Sequence, residues 1–140
     1  MDKKRIIYKG LLFVCFMREE IRDWVVQAEA DLRKAKILFD AGEYDGVAFY
    51  CHQSVEKMLK ALMMRKKNKG KAGHSIIYVA KELKVPEELF EKIKKLNPEY
   101  LISRYPDIAG VAPVDYYSKG MVEDYLGVAM EVIEWVKKRM

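Results

Sequence analysis

IRDWVVQAEADLRKAKILFDAGEYDGVAFYCHQSVEKMLKAL, residues 21–62, decides the fold. In its first half the apolar positions Ile21, Trp24, Val25, Ala28, Leu32, Ala35, Leu38 and Phe39 recur three and then four residues apart, the spacing of one helical face. The helix should stop near Asp40 and Ala41, because Gly42 reaches the left-handed capping conformation without a Cβ clash. A second helix then starts near Tyr44 and carries Val47, Ala48, Cys51, Val55, Met58, Leu59 and Leu62 on one face to about Arg65. So short a connection forces the two helices to pack antiparallel.

Beyond this hairpin the pattern stays helical. A short helix is expected over about residues 75–83, with Ile76, Ala80 and Leu83 inward. Pro86 suits the first turn of a fourth helix, and Glu87 and Glu88 favour its positive end. That helix carries Leu89, Phe90, Ile93 and Leu96, breaks at Asn97-Pro98 and restarts over about residues 100–103. Residues 104–113 hold too much Pro and Gly to be helical throughout. The last helix, about 118–138, turns Val122, Tyr125, Leu126, Ala129, Ile133 and Val136 to one side. The expected fold is all-α, an antiparallel up-and-down bundle of four to five helices. No strand alternation of useful length occurs outside residues 6–16, and no repeat or heptad array is present.

The 140 residues suit one domain with one core. A composition 51% hydrophobic and 34% charged gives both a core and a solvated shell. Cys15 and Cys51 form no C-x-x-C pair, which suggests a reducing, cytoplasmic setting. Gln and Asn occur twice each and Thr is absent, a balance leaning towards a thermophile. The first 16 residues place Lys3, Lys4 and Arg5 ahead of a short apolar run over residues 11–16. That run is too short to span a bilayer and lacks a small-residue cleavage site, so neither export nor membrane insertion is expected. Residues 1–16 read as an extension of a domain that covers 17–140, since Met17 opens the first good helical pattern.

The net charge of +5 permits phosphate contact without requiring it. Arg65, Lys66, Lys67, Lys69 and Lys71 form a basic loop, which could be a solvated connection or a phosphate-binding patch. The second helix carries a polar set, His52, Gln53, Glu56, Lys57 and Lys60, spaced three or four apart. Two readings stand beside each other: a solvent-facing strip with pairs such as Glu56–Lys60, or the lining of a cleft or dimer interface bracketed by Phe49, Tyr50 and Met63. His52 and His74 without an acidic or thiol cluster make a poor metal site, so neither metal nor cofactor is expected. No Gly-rich phosphate loop, nucleophile elbow or Ser-His-Asp order is present.

The order AEADLRKAKILFDAGEYDGVAFYCHQSVEKMLKALM, then GHSI, then RYPD, resembles the HEPN domain over about residues 17–140. Ala28, Asp31, Leu32, Ala35, Gly42, Tyr44, Ala48, Phe49, Gln53, Glu56, Lys57, Leu59, Lys60, Ala61 and Leu62 fall where that family's pattern puts them. His74 and the run Arg104-Tyr105-Pro106-Asp107 match two further positions. The resemblance implies a helical bundle, a homodimer, and pairing with a minimal nucleotidyltransferase, often in a toxin–antitoxin arrangement. Several branches of the family are metal-independent ribonucleases whose motif is an Arg and a His separated by four to six residues, so that both converge on one phosphodiester. This chain departs from that pattern: Arg65 to His74, nine apart, is as near as any arginine comes to a following histidine. The expected function is therefore a dimeric interaction module near nucleotide or nucleic acid, partnering a nucleotidyltransferase and not cleaving RNA by itself. An RNA-binding or RNA-cleaving protein with a non-standard site, or a purely structural dimerisation unit, are the alternatives. Arg104 is the arginine best placed for an anion, and Asp107 would orient it or hold it in a structural pair.

Overall fold

The computed structural model describes residues 18–67 and 75–140, and these form an all-helical bundle. The first two helices are α1, Glu19–Ala41, and α2, Tyr44–Lys67. Gly42 closes α1 in the left-handed region, at φ 78°, and its N–H reaches back to the last turn. The hairpin is tight because Gly46 has no side chain: a Cβ there would stand 2.7 Å from Leu38 Cδ1.

Next come α3, Ile76–Glu82, and α4, Glu87–Leu96. Seven residues are too few for a helix to persist alone, so α3 depends on burying Ile76, Val79 and Ala80. Ser75 caps it by accepting the Tyr78 N–H at 3.1 Å. Pro86 occupies the capping position of α4, one residue earlier than the expected first turn. Two four-residue helices follow, α5, Glu99–Ile102, and α6, Pro106–Ala109, the second ended by Gly110 at φ 84°. A single 3-10 turn over Pro113–Asp115 leads to α7, Lys119–Lys137, whose cap Ser118 accepts the Met121 N–H at 3.2 Å. Five of these segments are seven residues or longer, and no strand occurs among the described residues. Residues 1–17 and 68–74 lie outside the described set, and with them the expectations for the N-terminal extension and for Lys69, Lys71 and His74.

The centre of the bundle is α2, which packs against α1, α3, α4, α5 and α7. The sequence suggested one apolar face, but from Met58 to Met63 six consecutive residues are buried. Over these six residues the helix is enclosed, while Phe49, Tyr50, Gln53, Glu56, Lys57 and Met64 leave it a partly exposed stripe. This corrects the solvent-strip reading of its polar residues: His52 and Lys60 are each only 4% exposed, and Gln53, Glu56 and Lys57 are half-buried. Each fully buried Leu or Val there contributes roughly 1.5–3 kcal/mol, enough to carry a few polar groups that find partners.

Candidate functional site

Polar groups in an enclosed helix must be bonded or they destabilise the fold by about 1–3 kcal/mol each. Along the α1–α2 seam this demand is met. Asp31, buried on α1, accepts from Lys57 Nζ at 2.7 Å and from Gln27 Nε2 at 2.9 Å. Lys57 also donates to Gln53 Oε1 at 3.0 Å, and Ser54 Oγ donates to the Ala28 carbonyl at 2.8 Å. One turn on, Lys60 Nζ donates to Glu56 Oε2 at 2.9 Å and lies 5.8 Å from the centre of the Trp24 ring. The expected Glu56–Lys60 pair thus exists, in the interior. Four of the five polar candidates on α2 are thus engaged in hydrogen bonds: Lys57 to Asp31 joins α2 to α1, while Lys57 to Gln53 and Lys60 to Glu56 lie within α2.

His52 is the exception. Its Nδ1 is buried without a hydrogen-bond partner among the described residues, and its ring stacks on Tyr100 of α5 with centroids 5.1 Å apart. Burial, together with the cations Lys57, Lys60 and Arg104 and against the pull of Glu56, lowers its pKa to about 4. The imidazole is neutral near pH 7. Its neighbour Cys51 is also no nucleophile, because burial pushes the thiol up to about 12.

Arg104 follows Tyr100 by one helical turn and is held without any carboxylate. Its Nε donates to the Tyr100 carbonyl at 2.6 Å, and its guanidinium carbon lies 5.2 Å from the Phe49 ring centre and 4.9 Å from that of Tyr105. Arg104 and Asp107 form no ion pair, which corrects the expected structural pair. The reason is local: Pro106 starts α6 at this point and Asp107 is exposed within it. The terminal nitrogens of Arg104 therefore have no hydrogen-bond partner or counter-ion among the described residues.

The basic run divides. Arg65, Lys66 and Lys67 are the last turn of α2, not a loop, and suit the negative end of that helix. Lys67 pairs with Glu82 at 3.4 Å. No group of three or more His, Cys, Asp or Glu that could hold a metal ion occurs among the described residues.

Sequence reasoning missed a buried carboxylate. Glu99 opens α5 yet is 3% exposed, accepting hydrogen bonds from Tyr117 and, at 2.9 Å, from Tyr125. Burial raises the pKa of Glu99 and of both phenols. Tyr117 is thus buried and ties the segment before α7 to α5. No local pattern marks this: a Glu at a helix start is ordinary, and its two partners are 18 and 26 residues away. Tyr100, Tyr105 and Tyr116 are exposed, and with Ile108, Val111 and Val114 they give residues 100–116 an apolar surface.

A helical bundle with a polar seam beside its central helix and an open arginine after α5 defines an all-α class, and comparison with known proteins names it. The HEPN domain family model matches residues 21–139, and the chain belongs to that family. A protein of Methanocaldococcus jannaschii described as a "putative toxin" is 28% identical over 130 residues, covering 81% of this chain and 84% of its own length. A solved structure from Thermus thermophilus superposes with TM-score 0.81 at 30% identity, covering 88% of this chain and all of that one. An archaeal HEPN homologue gives TM-score 0.74 at 31% identity, over 85% of this chain and 96% of its own. No helix among the described residues is long and apolar enough to cross a membrane.

Proposed function

We propose that this protein is a dimeric HEPN interaction module that partners a separately encoded nucleotidyltransferase in a toxin–antitoxin arrangement, close to nucleotide or RNA. The observation that carries the reading is the exposed apolar surface of residues 100–116: Tyr100, Tyr105, Ile108, Val111, Val114 and Tyr116 sit together in one short segment, beside a core that is otherwise well buried. Exposed apolar side chains concentrated in one segment are the kind of surface a partner covers. Self-complementary closure about a two-fold axis would cover it without open-ended aggregation. The likeness to a relative described as a toxin supports the toxin–antitoxin context.

RNA cleavage by the chain alone is the weaker alternative. The arginine–histidine spacing of the family's ribonucleases is missing, and His52, the histidine that lies near Arg104, is buried and poorly basic. Light scattering at micromolar concentration should give a mass of twice 16.4 kDa, and Ile108→Glu with Val114→Glu should dissociate the pair. Co-expression with a nucleotidyltransferase from a neighbouring reading frame should yield a stable complex. A monomer that captures no such enzyme would sink the proposal, and metal-free RNA hydrolysis lost in Arg104→Ala would replace it with the alternative.

A further inference from the structure

Charge on α7 is arranged unlike that of the rest of the chain. Between Gly120 and Val136 the helix carries four carboxylates, Glu123, Asp124, Glu131 and Glu134, and no basic residue, in a protein whose net charge is +5. All four are exposed. Glu131 pairs with Lys92 of α4 at 2.9 Å, while Glu123, Asp124 and Glu134 have no ion pair among the described residues.

Gly127 lies in the middle of this acidic strip. A Cβ placed there would meet nothing within 4 Å, so no described contact inside the chain requires glycine. Glycine within a helix is nevertheless less stable than alanine, because it has more backbone freedom to lose. What it provides is a flat place where another backbone can come close to α7.

The strip borders a groove of about 620 Å³ between α7 and α4. Lys92 and Lys95 stand on the opposite wall, and Met121, Tyr125 and Val128 supply an apolar floor. That floor is fixed before any partner arrives, since Val128 is buried in the core and the Tyr125 hydroxyl donates to buried Glu99 at 2.9 Å. On α7 the lining runs from Met121 to Glu131, about 15 Å of helix or roughly three turns.

We propose that the groove between α4 and α7 is the docking site for a basic amphipathic helix of a partner protein. The apolar face of that helix lies on Met121, Tyr125 and Val128, and its backbone approaches at Gly127. Its Lys or Arg side chains meet Glu123, Asp124 and Glu134, and a carboxylate at its other edge answers Lys95, which has no ion pair among the described residues. The same acidic strip turns nucleic acid away. The groove deepens the partner reading given above and rests on it for the identity of the partner.

Calorimetric titration of the full chain with a synthetic amphipathic helix of leucine and lysine, about fourteen residues long, tests the chemistry without any enzyme. The peptide should bind below millimolar concentration with an affinity that falls as salt is added, and its counterpart with glutamate for lysine should not bind. Gly127→Leu fills the groove, and the open space around its Cβ lets the fold stand; it should weaken the lysine peptide about 10-fold or more. Glu123→Lys with Asp124→Lys should weaken it as far and admit the glutamate peptide instead. The site is refuted if the lysine peptide fails to bind, if the parent takes both peptides equally, or if Gly127→Leu and the double reversal both bind like the parent. Peptide binding at the groove in a chain that forms no nucleotidyltransferase complex would overturn the partner reading and leave the groove standing. An enzyme complex untouched by Gly127→Leu and by the reversal would leave the partner reading standing and overturn the groove as its dock. Tighter peptide binding after Lys3→Glu, Lys4→Glu and Arg5→Glu together would make the chain's own N-terminal residues the occupant, and would overturn the partner helix.

Discussion

The α1–α2 seam and the segment from Glu99 to Tyr117 both place charged residues beside the central helix, and they treat them in opposite ways. In the seam every charge is met. Asp31 accepts from Lys57 and Gln27, Glu56 accepts from Lys60, and beside the seam Lys137 of α7 reaches Glu29 of α1 at 2.7 Å. In the later segment the carboxylate of Glu99 is closed off by two tyrosines, while Arg104, five residues on, is held by ring faces and a carbonyl and has no counter-ion among the described residues. The lesson is that similar residue types serve packing where two long helices enclose them, and remain available where short helices of four residues leave the surface irregular.

The largest expected effect concerns His52, which stands at the border between the two regions. Its folded pKa of about 4 lies below its ordinary 6.5, so the folded state binds fewer protons than the unfolded chain in that window. The stability is present above pH 6.5 and is lost as pH falls towards 4, by up to about 3 kcal/mol at roughly 1.4 kcal/mol per unit. Glu99 opposes this, because its raised pKa makes the folded state the better proton acceptor there and its contribution is lost as pH rises. Urea unfolding at pH 4 and pH 7 should therefore show a smaller acid loss in His52→Phe than in the parent, and a larger one in Glu99→Gln. Equal losses in all three would mean that His52 is hydrated in the folded protein.

Next in size is Asp31→Ala, which leaves Lys57 and Gln27 without their shared acceptor at the seam. A loss of about 2–3 kcal/mol in the same unfolding measurement is expected. Less than about 0.5 kcal/mol would show the seam to be as open as the Arg104 segment, and would break the comparison. The smallest effect belongs to Arg104→Ala, whose two exposed ring contacts and single carbonyl bond are together worth about 1–2 kcal/mol. A much greater loss of thermal stability would mean that Arg104 is a structural brace, with little of it free for a ligand.

Much of this was legible in the chain as written. The three-then-four spacing from Ile21 to Phe39, the stop at Gly42 and the restart at Tyr44 set the antiparallel hairpin, because helical periodicity and glycine capping are local properties of sequence. The breaks at Asn97-Pro98 and Gly110 were readable for the same reason. Family membership was also written there, in residues whose order and spacing need no coordinates.

What the sequence alone left undecided was which polar residues are enclosed. That depends on how many neighbours surround a helix, and five pack against α2. Only this enclosure turned Lys57 and Lys60 from a solvent strip into interior braces, and lowered the pKa of His52. Likewise Arg104 could have paired with Asp107, three residues away, until the start of α6 at Pro106 and the rings of Phe49 and Tyr105 gave it another seat. Phe49 is 55 positions from Arg104 in the chain, and contacts over such separations are fixed by packing, which local periodicity does not encode.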